Sequence, residues 1–374
     1  MKKYFAIAAS LLALAACSKK EANVQVVPAP EAEIDAPVPV LFGNSGVEAE
    51  VKGLGSIDAF DGAQKLVVFG HDVAQDLTQG YLIDGVEAAS PVDPTTDSHI
   101  VVKNAAGEYF YYEGSKVYEF FAYHIDDAEN PVVNKTADAV SVNFTLDGSQ
   151  DILYANADTT LDVAGKTYTP SGTTTAVPIP ASRAYSAWSA RRGVTPNLPF
   201  KHAGSLFEFA IEDMRGAGAD AMYIDSLAIK SYADAVLTFK AAKDTLVAAT
   251  DAQLVPLTMD IEDLKEEVAT VADYEAVEVE DIDSFGPGLI VVPGAASYTG
   301  SIKLTQLVES AEGVSPKSVV NDFTLDFAKR VPAYAQAGYK YKVTIKVYAL
   351  EKIEITVSLE AWEEGDEFTI DEDE

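Results

Sequence analysis

The stretch YKYKVTIKVYALEKIEITVSLEAW, residues 339–362, decides the fold class. Tyr341, Val343, Ile345 and Val347 fall on one side of an extended chain and Lys342, Thr344 and Lys346 on the other, because successive side chains of a strand point to opposite faces. After a short turn at Ala349 to Lys352 the alternation resumes with Ile353, Ile355, Val357 and Leu359. A helix would instead repeat apolar residues every three or four positions. The text is a β-hairpin with one buried face.

The same period recurs upstream. Val140, Val142, Phe144 and Leu146 alternate with Ser141, Asn143 and Thr145, ahead of a turn at Asp147-Gly148, which predicts one buried and one wet face. Residues 206–211 (LFEFAI) and 223–231 (YIDSLAIKS) carry the signature again. Ser98 to Lys103, Glu108 to Glu113 and Lys116 to Ile125 are read as a three-stranded meander. Residues 261–275 (IEDLKEEVATVADYE) fit either an amphipathic helix or an acidic loop. Residues 170–199, rich in Pro, Ser, Thr, Ala and Arg, show neither period and predict an interdomain linker or long loop. Three of the five arginines, Arg183, Arg191 and Arg192, lie there, which makes it an expected proteolytic target. No internal repeat is present. The chain reads as all-β, in two sandwiches.

Composition limits the partners. The 374 residues hold 27 Lys plus Arg against 59 Asp plus Glu, a formal charge of -32, so phosphate backbones and anionic lipid surfaces repel the chain. Nucleic acid is excluded as a partner. With 48% hydrophobic residues the chain still has ample material for cores.

The first residues read as an export signal. Lys2 and Lys3 precede an apolar run, Tyr4 to Ala16, that is too short to span a bilayer. Leu14-Ala15-Ala16-Cys17 has the form of a lipobox, with cleavage between Ala16 and Cys17 and acyl chains on Cys17, whose buried methylenes would hold the protein to a membrane. Cys17 is the only cysteine, so disulfides, thiolate metal sites and a cysteine nucleophile are excluded. The expected organisation is a signal peptide at 1–16, a Pro-dotted tether at 17–41 with room for an edge strand, and two domains at 42–197 and 198–374.

No catalytic constellation is legible. His71, His99, His124 and His202 are scattered outside any known motif. His124 is expected partly exposed at a strand end, and His202 at the opening of a strand, each serving as a hydrogen-bonding group. Asp58 with Asp61, Asp126 with Asp127, and Glu278 to Asp283 offer carboxylates to calcium without EF-hand spacing; solvated acidic loops explain them more simply. No metal and no cofactor is expected. The rings of Tyr109 to Tyr112 and Tyr118 to Tyr123 would serve either as a sugar-stacking platform or as two packed layers, and packed layers fit better.

Four blocks, YEFFAYHID (118–126), DILYANA (151–157), LPFKHAGSLFEFAI (198–211) and GYKYKVTIKVYALEKIEITVSLEAWEEGD (338–366), together with the lipobox, resemble the fimbrillin family of lipoprotein pilin subunits and fimbria-associated adhesins of Bacteroidetes-type bacteria. The resemblance implies two transthyretin-like β-sandwich domains, the second beginning near Leu198. It also implies assembly with other fimbrial subunits on the outer membrane, the bacterial or host ligand being undefined. In that family a trypsin-like protease removes the first strand, and a neighbour's donor strand fills the vacated groove. No arginine precedes Arg183, so the implied cut would fall at Lys52 or Lys65. Candidate donors are Val24 to Phe42 and Ala361 to Ile370, where Phe368 and Ile370 share a side. The alternative is a monomeric outer-membrane lipoprotein that binds glycans.

Overall fold

The computed structural model describes residues 36–43, 60, 62–91, 99–127, 131–267, 274–310, 313–329 and 332–360. Ala16, Cys17, Lys52, Asp58, Asp61, Phe368 and Ile370 lie outside the described residues. In chain order the first strands are β1 (Lys65–Asp72), β2 (Tyr81–Ala89), β3 (Tyr118–Ile125), β4 (Val132–Lys135), β5 (Val140–Thr145) and β6 (Ile152–Asn156). A single helical turn, α1 (Thr159–Asp162), is followed by β7 (Thr167–Tyr168), β8 (Val177–Pro178), a second turn α2 (Ala187–Ala190) and β9 (Lys201–His202). Then come β10 (Ser205–Asp213), β11 (Met222–Tyr232), β12 (Asp234–Lys240), β13 (Thr245–Ala248), β14 (Leu254–Thr258), β15 (Glu266–Glu267) and β16 (Glu275–Glu278). The last strands are β17 (Ile282–Val291), β18 (Ser297–Ser310), β19 (Gly313–Asp326), β20 (Tyr339–Ala349) and β21 (Lys352–Glu360). The fold is all-β.

The opening hairpin forms as read: β20 and β21 pair antiparallel with Val343 opposite Val357 and Ile345 opposite Ile355. Its buried row, Tyr341, Val343, Ile345 and Val347, faces the core. β20 also pairs in parallel with β10, giving a sheet ordered β17-β10-β20-β21. This sheet packs across a larger one built on β16-β11-β18-β19, with β14 also on β11.

The first part of the chain forms a sheet ordered β2-β1-β3-β6-β9. β3 at its centre is buried on both faces, and Tyr118, Phe120 and Ala122 enter one apolar cluster while Phe121, Tyr123 and Ile125 enter another. The two packed layers expected of these rings are therefore present. Gly70 on β1 stands opposite Phe120, and a Cβ there would meet the Phe120 ring at 2.6 Å; its missing side chain makes room for that ring.

A fourth sheet, β13-β12-β5-β4, crosses residue 198, because β5 precedes it and β12 follows it. The β5 to β12 register slips between Thr238 and Lys240. The extra residue at this bulge, Phe239, is fully buried against Phe69, Phe121 and Tyr123. One apolar cluster therefore runs from Phe69 to Leu350 through both halves, while the other is built entirely from residues 40–200.

Two expectations change, and one open alternative is decided. Residues 99–113 hold only isolated bridges, Lys103 to Tyr109 and Pro39 to Tyr111, because the backbone of 110–112 bonds to the distant segment around Val38 and Val40 instead of its sequence neighbour. The region at 261–275 shows a three-residue 3-10 turn at Glu262–Leu264 and β15, with 268–273 outside the described residues; the described part fits the acidic-loop alternative and not the amphipathic helix. Residues 170–199 form a packed strap, in which Ile179, Ala184, Tyr185, Ala187, Trp188, Val194 and Leu198 are buried. Their side chains are apolar in no regular period, so the pattern hides them.

Candidate functional site

Residues 36–43 form no regular strand but hold one isolated bridge, Pro39 to Tyr111, and bonds to distant backbone. Val40 N–H donates to the Phe110 carbonyl at 2.8 Å, Tyr112 N–H donates to the Val38 carbonyl at 2.9 Å, and Gly43 N–H donates to the Pro196 carbonyl at 2.9 Å. Val40 and Phe42 are 3% and 2% exposed, and the Phe42 ring meets Phe120 edge-on at 5.4 Å. Burying these two side chains contributes about 1.5–3 kcal/mol each. This short segment thus plugs an apolar groove beside β3, and its backbone completes the bonding of 110–112.

The strap closes the same groove from the other side. Ser186 caps α2 by accepting from Ser189 N–H, and the Tyr185 carbonyl accepts from Tyr118 N–H at 2.8 Å, which ties the strap to β3. The Asp162 carboxylate, buried at the end of α1, accepts from the Tyr185 hydroxyl, from Asn197 N–H at 2.9 Å and from the Asn197 amide. Burial first, and then this carboxylate, push the Tyr185 hydroxyl pKa far up. Trp188, 4% exposed, meets the guanidinium carbons of Arg183 and Arg192 at 4.2 and 4.1 Å from its ring centre. Arg192 also donates to the Trp188 carbonyl, and Arg191 donates to the Ala36 carbonyl at 2.8 Å. The arginines read as a protease target are thus built into folded structure.

The sheet edge at β21 differs. β21 ends the β17-β10-β20-β21 sheet, and its inward row of Ile353, Ile355, Val357 and Leu359 is only half-buried. The neighbouring sheet edge, β19, carries Val320 at its exposed face.

His124 lies on β3 and is 4% exposed, against the expectation of partial exposure. β1 covers it: the Lys65 carbonyl accepts from Nδ1 at 2.8 Å, and Nε2 lies 2.8 Å from an Asp126 carboxylate oxygen. Burial opposes its protonation, but the Asp126 hydrogen bond and the Lys65 carbonyl outweigh burial, and the His124 pKa is raised. His202 closes the two-residue β9 instead of opening a long strand; Ala203 and Gly204 separate it from β10, and its Nδ1 lies 3.0 Å from the buried Asp151 carboxylate. His71 is buried between Glu119 and the Asp76 carbonyl, and His99 is exposed. These imidazoles serve local bonding, and the structure does not bring them together.

Lys65, Glu87, His124, Asp126 and Asp127 line a cleft of about 400 Å³. Asp126 is committed there, accepting from His124 and from Asp151 N–H, and the Asp281 carboxylate accepts from Asp213 N–H. Among the described residues no group of three or more His, Cys, Asp or Glu side chains is placed to hold a metal ion. Of the rings weighed as a sugar platform, Tyr112, Tyr118, Phe120, Phe121 and Tyr123 are buried, and Tyr109 and Tyr111 are exposed. Among the described residues no helix is long and apolar enough to cross a membrane.

No family model matches the chain, and no curated protein matches it in sequence. Solved structures do. A fimbrial protein from Bacteroides vulgatus superposes with a TM-score of 0.52 at 14% identity, covering 85% of this chain and 100% of that one. The two share a fold. The fimbrial anchor protein from Porphyromonas gingivalis covers 87% of this chain and 99% of its own at 10% identity, with a TM-score of 0.35.

Proposed function

We propose that this chain is a fimbrial subunit or fimbria-associated adhesin, held at the outer membrane by acyl chains on Cys17 and joined to other subunits by donor-strand β-augmentation. The observation that carries this reading is the segment at residues 36–43. It fills an apolar groove with Val40 and Phe42, is held by backbone bonds to 110–112 and Pro196, and lies upstream of both candidate cleavage lysines, Lys52 and Lys65. A cut at either lysine leaves the segment bound only by non-covalent contacts. Its loss uncovers the groove beside Phe120 and the polar backbone of 110–112, both of which an incoming strand satisfies. The fold shared with a fimbrial protein and the fimbrillin-like sequence blocks support the same reading. The two domains meet near Leu198, and Phe368 and Ile370 are the donor side chains. The chain's work is contact with other macromolecules, without turnover.

Donor-strand joints are kinetically stable, so assembled material should give a ladder in unheated detergent gels that collapses on boiling, and Phe368→Asp should abolish it. A single monomer band from lysine-cut protein at high concentration would refute the reading. Mass spectrometry of the mature N-terminus separates roles: acylated Cys17 marks an anchor, and a start after Lys52 or Lys65 marks a polymerising subunit.

A further inference from the structure

Between Asp162 and Glu208 the sequence contains no acidic residue, although Asp and Glu make up 59 of 374 positions. The same interval holds Lys166, Arg183, Arg191, Arg192 and Lys201. The strap gathers four of these cations. Arg183 and Arg192 flank Trp188, Arg192 also approaches Tyr168 at 5.7 Å, and Lys166 donates to the carbonyl of Gly193, the residue after Arg192. All four are half-buried and therefore reach the surface. In a chain of charge -32 this interval carries cations and no acid, and charge complementarity favours an acidic segment there.

The sequence itself contains the matching ligand. Residues 361–374, AWEEGDEFTIDEDE, carry eight acidic residues and no basic one. Their pattern repeats that of the segment the strap already handles. Glu31, Glu33 and Asp35 precede Val38, Val40 and Phe42, and Glu363, Glu364, Asp366 and Glu367 precede Phe368 and Ile370. Arg191 grips the carbonyl of Ala36, at the junction between acids and apolar pair in the first of these two texts.

We infer that the strap of Lys166, Arg183, Arg191 and Arg192 is a docking site for the acidic segment 361–374 of a neighbouring copy of this chain. The inference deepens the donor-strand reading and rests on it: the strap captures the carboxylates, and Phe368 and Ile370 then enter the groove. The neighbour, not the same chain, supplies the segment. The strap packs on the cluster fed by Tyr118, Phe120 and Ala122 of β3, whereas β21 packs on the cluster fed by Phe121, Tyr123 and Ile125. The five-stranded sheet therefore stands between the strap and the strand from which its own tail departs.

A fluorescent peptide of residues 361–374, titrated into the full chain and read by anisotropy, tests this. Binding should be saturable at about 20 mM salt and weaken at least tenfold by about 0.3 M, where the screening length falls to a few ångströms. R191E/R192E should weaken it about tenfold or more, mainly through the association rate. A peptide with Asn and Gln for the acids should not bind, a control that leaves the protein untouched. Equal binding by the neutral peptide, no change in R191E/R192E with its near-ultraviolet dichroism intact, or no saturable binding at low salt each overturns the inference. So does tighter competition by a polyuronate at equal carboxylate concentration, which would make the strap a glycan site. A severalfold gain in affinity on ending the chain at Glu360 would show that its own tail occupies the strap, and overturns the neighbour as source. The donor-strand reading fails separately, when ladders persist in Phe368→Asp.

Discussion

The two faces of β3 are equally buried but differently closed. On one, Phe121 and Tyr123 join a cluster to which both halves of the chain contribute, sealed by Phe239 from β12. On the other, Phe120 lies under Phe42 and Tyr185, which belong to a short edge segment and a strap. Burial alone does not separate the two. What separates them is which parts cover each face: strands from both halves of the chain for the first, and the edge segment with the strap for the second. A cover that opens locally suits a site where a strand is exchanged.

The largest test of this contrast sets Phe239→Ala against Phe42→Ala. Phe239→Ala should cost about 3–5 kcal/mol in urea unfolding, as for a phenylalanine in a sealed core. Phe42→Ala removes the same group, yet its global cost should stay below about 2 kcal/mol, capped by the free energy of releasing the segment; cleavage near residue 36 should speed up instead. Equal costs would erase the distinction. Asp162→Ala strands the Tyr185 hydroxyl and the Asn197 amide, and should cost about 2–3 kcal/mol. Arg192→Ala removes one of the two guanidinium contacts on Trp188, for about 1 kcal/mol and a blunted near-ultraviolet signal.

Two pH tests are smaller. Burial raises the Asp244 pKa to about 6, so the fold holds a proton that the unfolded chain releases near pH 4, and stability falls between those values as pH rises. Because Asp244 is half-exposed, its penalty at neutral pH is discounted, and Asp244→Asn should recover about 1 kcal/mol there and nothing at pH 4. His124 runs on a later window. Its pKa is raised in the fold, so its contribution is complete below the ordinary histidine pKa of about 6.5 and fades as pH climbs through the raised value. His124→Gln should flatten the stability curve in that upper window.

Much of this was legible in the sequence where period-two alternation governs. The β20 to β21 hairpin, β5 and the two-sided aromatic text of β3 all fold as their patterns require. Pairings between distant strands left no trace. Nothing in 205–213 announces its parallel partner at 339–347, and nothing in 140–145 announces β12. The groove was hidden for the same reason: Tyr111 pairs with Pro39 across 72 positions, and a Pro-dotted text gives no strand period. The packing of the strap is not legible in the sequence because its order comes from a carboxylate hub, Asp162, and the guanidinium contacts on Trp188, neither of which is periodic. One signal is legible there, the run between Asp162 and Glu208 without a single acid.

The ladder between β5 and β12 has a mechanical meaning. A tug arriving through the first half passes into the second across hydrogen-bonded backbone and a common hydrophobic mass, not along a single thread near residue 198. Loaded end to end, the described body should stretch as one stiff link.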